Sequence, residues 1–267
     1  MPTDCKTCPL RDCSYFTPIP EDEISFMQNF KAGELKVKAG TTILIEGANS
    51  PQLYTVLSGM GLRYKVLEDG RRQVINFLFP GDFIGLQAGI MGEMKHSVES
   101  STEMVLCLFN RSDLWNLFKT HPGRAYDLTW IAAVEENLLA EALTAIGQRD
   151  ARQRLAWALL RIHHRLRAVG LEKNGAVPLA FRQQDLADAL GLSLVHTNKT
   201  LRLLRERAIA RWMDGVLTIP KRSALAEFAG TAPRAFGKAP ADVKNGRRSG
   251  PVRQDRRPVP DGGETIF

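Results

Sequence analysis

The hydrophobic period of the chain changes near Arg111, and this change restricts the fold more than any other feature. From Phe30 to about Phe109 the apolar residues fall in short stretches: Glu34–Val37, Thr42–Glu46, Leu53–Ser58, Gly61–Leu67, Gln73–Phe79, Phe83–Leu86, Ser97–Ser100 and Met104–Phe109. That is the length and spacing of strands rather than helices. Gly40, Gly47, Gly59, Gly70, Gly81 and Gly85 punctuate them, and Glu68-Asp69-Gly70 marks a hairpin, because Asp-Gly tolerates the positive φ of a tight turn. A parallel sheet needs long helical crossovers, for which these short spacers leave no room. The expectation is an antiparallel β-roll, a jelly roll or related barrel.

Beyond Arg111 the spacing becomes helical. Asp113–Phe118 reads as a short helix, and Pro122 opens a long one in which Leu128, Ile131, Val134, Leu138, Leu139, Ala142 and Ile146 recur three or four apart. A helix of about 24 residues spans about 36 Å, longer than a small barrel covers. It pairs with its symmetry mate in a coiled interface or lies along its own domain. Gln148-Arg149-Asp150 breaks the stripe and marks a boundary. The next helix, Ala151 to about Val169, turns Leu155, Leu159, Leu160 and Ile162 inward. Arg149, Arg152, Arg154, Arg161, Arg165 and Arg167 against Asp150 give residues 149–168 a net charge of +5, the density of a phosphate-contacting face or of an ordinary solvated one.

Residues 181–220 carry the sharpest functional signal. Arg182–Leu190 reads as a helix, Gly191 as a turn, Ser193 as an N-cap and Leu194 to about Arg207 as a second helix, together a helix-turn-helix. With Leu194, Thr197, Leu201 and Leu204 inward, Val195, His196, Asn198, Lys199, Arg202 and Arg205 face solvent. Asn198 and Lys199 offer donors to base edges, His196 and Arg202 reach a base or a phosphate, and Val195 suits a thymine methyl. Arg211–Ile219, with a turn at Asp214-Gly215, reads as a wing.

The cysteines are crowded toward one end. Cys5, Cys8 and Cys13 lie in the first thirteen residues and Cys107 stands far from them. A C-x2-C pair turns two thiolates toward one soft ion, a third thiolate shortly after can join, and a fourth ligand comes from elsewhere. The plainer alternative is unrelated thiols on an arm, with Cys107 an ordinary buried strand residue. The five histidines, His96, His121, His163, His164 and His196, form no ligating set, which argues against a β-roll enzyme. No run approaches the roughly 18 apolar residues of a membrane span. The opening residues lack a secretory leader, so a cytoplasmic protein is expected.

These pieces occur in the order found in the Crp/Fnr family of bacterial transcription regulators, which residues 16–223 resemble. The resemblance rests on Gly40-Thr-Thr-Ile-Leu-Ile-Glu-Gly47, Tyr54-Thr-Val-Leu-Ser-Gly59, Asp69-Gly-Arg-Arg-Gln-Val-Ile75, Pro80-Gly-Asp-Phe-Ile-Gly85 and Asp185-Leu-Ala-Asp-Ala-Leu-Gly-Leu-Ser193. It implies an α+β chain: a cyclic-nucleotide-binding-like β-roll (jelly roll), a long dimerisation helix and a C-terminal winged helix-turn-helix. The expected units are a cysteine-bearing arm and short helix (1–29), the sensor roll (30–120), the dimerisation helix (121–147), the DNA-binding domain (150–223) and a disordered basic tail (230–267).

The resemblance further implies a homodimer that binds double-stranded DNA with an inverted-repeat operator and contacts RNA polymerase. Where cyclic-nucleotide-binding members have an acidic residue and an Arg-Ser pair, this chain has Asp82 and His96-Ser97; without the guanidinium fork, cyclic nucleotide binding is disfavoured. The fumarate-and-nitrate-reduction type holds a [4Fe-4S] cluster on three N-terminal cysteines and one on the last roll strand, a disposition that Cys5, Cys8, Cys13 and Cys107 match. Four residues rather than five separate the second and third cysteines, which leaves [2Fe-2S] or zinc open. Oxygen or redox sensing is the function this implies; a small-ligand regulator without a cluster and a zinc-stabilised interaction module are the alternatives. Val195, Asn198 and Lys199 replace the family's usual glutamate, serine or glycine, and arginine, so an unfamiliar half-site is expected.

The formal charge of +7 is mostly not in the folded body. Residues 230–267 hold eight basic and four acidic residues, so +4 of it falls in the expected tail.

Overall fold

The computed structural model describes residues 2–12 and 19–231. Cys13 and the expected tail from residue 232 onward lie outside the described residues. Two 3-10 turns, Cys5–Thr7 and Pro9–Asp12, precede helix α1 (Glu21–Phe30). Strands β1 (Lys31–Val37), β2 (Thr42–Leu44), β3 (Gln52–Ser58), β4 (Gly61–Val66), β5 (Arg72–Leu78) and β6 (Phe83–Ile84) follow, then α2 (Leu86–Met91), β7 (Ser97–Ser100) and β8 (Met104–Asn110). They form two antiparallel four-stranded sheets, ordered β1-β8-β3-β6 and β2-β7-β4-β5. Between them lie Leu44, Val56, Leu78, Val98, Met104 and Leu106, all buried.

Local chemistry accounts for the sharp corners of the roll. Gly70 takes φ +81° in the expected β4–β5 hairpin. Gly59, at φ +88°, carries β3 into β4 so close to the β7–β8 turn that a Cβ there would sit 2.2 Å from the Glu103 carbonyl oxygen. Only glycine allows that approach without moving backbone.

Strand β8 has two buried faces. Its period of two turns Met104 and Leu106 into the roll and Val105, Cys107 and Phe109 outward. The outward residues pack with Leu53, Leu57, Met27, Phe30 and Leu114, and with Cys8 and Leu10 of the N-terminal arm. Cys107 thus faces the arm rather than the roll interior.

After α3 (Leu114–Thr120), helix α4 (Pro122–Gln148) has proline at its start, where a missing N–H costs no hydrogen bond. Its apolar side chains are covered unevenly: Leu128 and Ala142 of the stripe pack on the body, whereas Leu139 is 39% exposed and Leu143, outside the stripe, 73%. The helix ends where Arg149 turns extended, and Asp150 caps α5 (Ala151–Ala168) through a capping box with Gln153. No helix among the described residues is long and apolar enough to cross a membrane.

The C-terminal unit contains α5, β9 (Ala176–Pro178), α6 (Gln183–Leu190), α7 (Leu194–Glu206), β10 (Arg211–Met213), β11 (Val216–Thr218) and α8 (Arg222–Phe228). β9 and α8 extend the expected arrangement: β9 completes a three-stranded sheet ordered β10-β11-β9, and α8 packs on α5 through Leu225 and Ala226. Its core is continuous with one face of the roll, where Phe181 meets Phe77 and Phe79 at ring-centroid distances of 4.6 and 5.9 Å.

The arginines of α5 correct the sequence reading. Arg161 pairs with Glu141, Arg165 with Asp82 and Arg167 with Glu172. Arg154 donates to the carbonyls of Leu190 and Ile146, and Arg149 donates to that of Ala229 while lying over Trp157. Arg152 is exposed. Most of the +5 segment therefore fastens α5 to its surroundings.

Candidate functional site

Two places gather functional side chains: the exposed face of α7 and a cavity beneath the N-terminal arm. The first begins at Gly191, whose φ of +61° ends α6 and turns the chain. Ser193 then caps α7, its Oγ accepting the His196 backbone N–H at 3.3 Å and lying 2.8 Å from His196 Nδ1. Thr197, Thr200 and Leu204 are buried against α6 and α5. Val195, His196, Asn198, Lys199 and Arg202 are all exposed, as the sequence reading places them.

Two inward assignments differ. Leu194 is 40% exposed because it starts the helix ahead of its packing partners, and Thr200 is buried in its stead. The Thr200 hydroxyl donates to the His196 carbonyl, so a polar side chain is accommodated there without an unmet donor. Arg202 lies 3.3 Å from Glu206 in an exposed pair that water screens. The wing is a two-residue hairpin with positive φ at Asp214 and Gly215, anchored by Trp212 Nε1 donating to the Leu179 carbonyl. Gln183, Gln184 and Arg211 are further exposed donors of this unit, not singled out from the sequence.

The second place is a cavity of about 220 Å³ lined by Cys5, Cys8 and Cys107, by Phe30 and Phe109, and by Leu128 of α4. The arm is strapped over it: the Thr3 backbone N–H donates to Glu34 Oε1 at 2.7 Å, Lys31 pairs with Glu34 at 2.7 Å, and the Cys5 N–H donates to Gln28 at 2.8 Å. Burial pushes the Cys107 thiol up to about 12 against the pull of Lys31, and burial also raises Cys5. Burial draws the Lys31 ammonium down, but Glu34 and the nearby thiols outweigh it and hold it above its ordinary value. Without a cation, Cys5 and Cys107 are therefore neutral thiols at pH 7.

The sequence-predicted ligands are thus brought together in part. Cys5, Cys8 and Cys107 are free thiols sharing one cavity, and Cys13 lies outside the described residues. No three His, Cys, Asp or Glu among the described residues lie close enough together to hold a metal ion. The soft donors suit iron–sulfur or zinc chemistry, but the described arrangement is not itself a ligand set.

The positions compared with a cyclic-nucleotide site are engaged internally. Asp82 accepts the Phe79 backbone N–H at 2.8 Å and pairs with Arg165; Ser97 Oγ accepts the Glu46 N–H at 3.0 Å. His96 is buried and pushed down to about 4 by burial and by Arg63 and Lys65. His163, fully buried in α5, is likewise pushed down to about 4, chiefly by burial. An unfolded histidine takes up a proton below about 6.5 whereas these two, when folded, do so only near 4. Unfolding then binds protons, so stability is expected to fall as pH drops from about 6.5 toward 4. Denaturant titrations across this range check it, and equal stability at pH 7 and 5 would contradict neutral burial of the pair.

Comparisons with known proteins agree with this geometry. Residues 34–121 match the cyclic nucleotide-binding domain and residues 153–228 the Crp-like helix-turn-helix domain. The chain is 31% identical over 191 residues to the nitrogen fixation regulation protein FixK of Rhizobium meliloti, covering 70% of this chain and 83% of that one. It is 29% identical over 223 residues to the transcriptional activatory protein AadR of Rhodopseudomonas palustris, covering 82% and 90%. The solved structure of FixK2 from Bradyrhizobium japonicum superposes with a TM-score of 0.68 at 26% identity, covering 74% of this chain and 98% of that one. The chain belongs to the Crp/Fnr family of transcriptional regulators, DNA-binding proteins rather than enzymes.

Proposed function

We propose that the protein binds an inverted repeat in double-stranded DNA as a homodimer and that its affinity is set at the thiol-lined cavity. The observation that carries the DNA reading is the α7 face, where Val195, His196, Asn198, Lys199 and Arg202 stand clear of a buried Thr197–Thr200–Leu204 stripe. The uncovered Leu139 and Leu143 of α4 supply a face for a second copy. Leu128 and Ile131 of the same helix line the cavity, so a change of its contents reaches the dimer helix by direct packing. Contact with RNA polymerase belongs to this proposal, with no residue assigned to it.

For the signal, the reading best supported is a small ligand without a cluster, because the cavity wall is largely apolar and no three described ligating groups converge. The second reading is an iron–sulfur cluster held by Cys5, Cys8, Cys107 and Cys13. It is favoured by three thiols from two distant segments facing one cavity. Such a cluster supplies a group that oxygen, nitric oxide or oxidants attack; the chain's own part is to strap the arm over β8 through Thr3, Lys31 and Glu34. A zinc ion on the same thiols would be a structural tie.

One anaerobic preparation tests both levels. Selection from random DNA is expected to yield an inverted repeat, and its failure to enrich any sequence overturns the DNA reading. Metal and sulfide analysis of the same sample is expected to find neither iron nor sulfide. Iron with equal sulfide, bleached by air, establishes the cluster instead, and zinc without sulfide establishes the structural tie.

A further inference from the structure

One hairpin touches both the long helix and the reading unit. Arg63 on β4 pairs with Glu135 of α4 and donates to the Phe83 carbonyl at 2.7 Å. Arg72 on β5 reaches the other way, into α6. Its Nε and Nη2 lie 3.1 and 3.0 Å from Asp188 Oδ2, Nη2 also pairs with Asp185, and its guanidinium lies 5.6 Å from the Tyr64 ring centroid. Beside it Gln73 Nε2 donates to the Ala189 carbonyl at 3.3 Å.

The ends of this contact are well fixed. The Arg72 side chain is 18% exposed, Asp188 16% and Asp185 3%. Asp185 also accepts from Arg182 at the start of α6, and Gln184 donates to the remaining Asp188 oxygen at 2.6 Å. Phe77, at the end of β5, packs on Phe181 just before α6. Largely buried ion pairs add little net stability compared with apolar packing; their best-attested use is to fix one register among several. A planar guanidinium forked across two carboxylates of one helix face does this in a way a point charge does not.

We propose that Arg72 is a positioning residue for DNA reading: by clamping α6 to the β4–β5 hairpin, it fixes the distance and rotation between the two α7 helices of a dimer. Two half-sites must lie a set number of base pairs apart, because each added pair rotates the second by about 34° and shifts it by about 3.4 Å. α7 packs on α6, and α6 is held by β5, so the clamp sets where α7 points relative to α4. Arg72 touches no DNA in this scheme and acts through α6 alone.

The inference rests on the homodimer and inverted-repeat reading above, and the test separates the two. Arg72→Met and, as a second variant that leaves the Asp185 cap of α6 intact, Asp188→Ala are compared with the parent on the selected operator. Operators lengthened or shortened by one base pair between half-sites, and a single half-site, are measured alongside. The parent is expected to lose about tenfold or more on either spacer change. Both variants are expected to bind the single half-site as the parent does but to discriminate spacers by less than about threefold. Arg72→Lys, which cannot fork, is expected to behave like Arg72→Met. Parent-like spacer discrimination in both folded variants overturns the clamp, as does a matching loss on the single half-site. A parent indifferent to spacing overturns the inverted-repeat reading itself.

Discussion

Asp82→Ala is expected to destabilise the folded chain by about 3–5 kcal/mol, the usual cost of removing one partner from a buried ion pair. The site is unusually exposed to that loss. Asp82 is buried and uses both oxygens, one for the Phe79 N–H and one for Arg165, whose guanidinium also lies 5.6 Å from the Phe79 ring centroid. Arg63 stands nearby, itself pushed down to about 9 by burial and by Arg165. Deleting the carboxylate removes the Arg165 partner at a place where Arg165 already repels the buried Arg63, which is paired with Glu135. The thermal midpoint is expected to drop by roughly 10 °C. Arg165→Met in the Asp82→Ala background should recover most of it, because the displaced charge leaves with its partner. A single-variant midpoint within about 2 °C of the parent would falsify this account.

The same cluster shows where sequence reading stops. The period of two in β8 and the Asp-Gly turns at Asp69-Gly70 and Asp214-Gly215 are local signals, and the strands and hairpins follow them closely. Capping at Asp150 and Ser193 is equally local. The fate of the α5 arginines is not, since their partners Asp82, Glu141 and Glu172 lie on other elements and charge density carries no address. β9 is as short as β10 and β11 but pairs with β11 some forty residues later, so no hairpin turn of its own gives it a partner, and α8 begins only after the wing. The long helix was legible from its stripe, but only the structure separates its covered part from the exposed Leu139 and Leu143.

For the candidate site the division is similar. Which α7 residues face outward followed from helical spacing, apart from the exchange of Leu194 for Thr200 at the start of the helix. The convergence of Cys5 and Cys8 with Cys107 was carried by resemblance, since no local rule brings an N-terminal arm beside β8. Its physical basis is the outward face of β8 together with the Thr3, Lys31 and Glu34 strap. Burial that leaves Cys5 and Cys107 protonated could not be read from spacing at all.

The internal use of the α5 arginines shifts the burden of DNA recognition onto α7, which makes the Asn198→Ala, Lys199→Ala double variant the largest expected loss of function. Both side chains are exposed and lie one after the other on the N-terminal half of the helix, the part that meets base edges when such a helix enters the major groove. A good side-chain contact to a base is worth about 1–3 kcal/mol, so the pair should cost roughly 100-fold or more on the selected operator. Folding should be unaffected, because the buried Thr197, Thr200 and Leu204 that seat the helix are untouched. The salt dependence then sorts the roles. If Lys199 meets a phosphate, Lys199→Ala alone lowers the salt slope by about one; if it meets a base, the slope stays and preference at one operator position relaxes. Arg152→Ala, at the exposed arginine of α5, is expected to weaken all DNA alike and by less than about tenfold. Should Arg152→Ala cost more than the α7 double variant, or the double variant bind within about threefold of the parent, α7 is not the reading element.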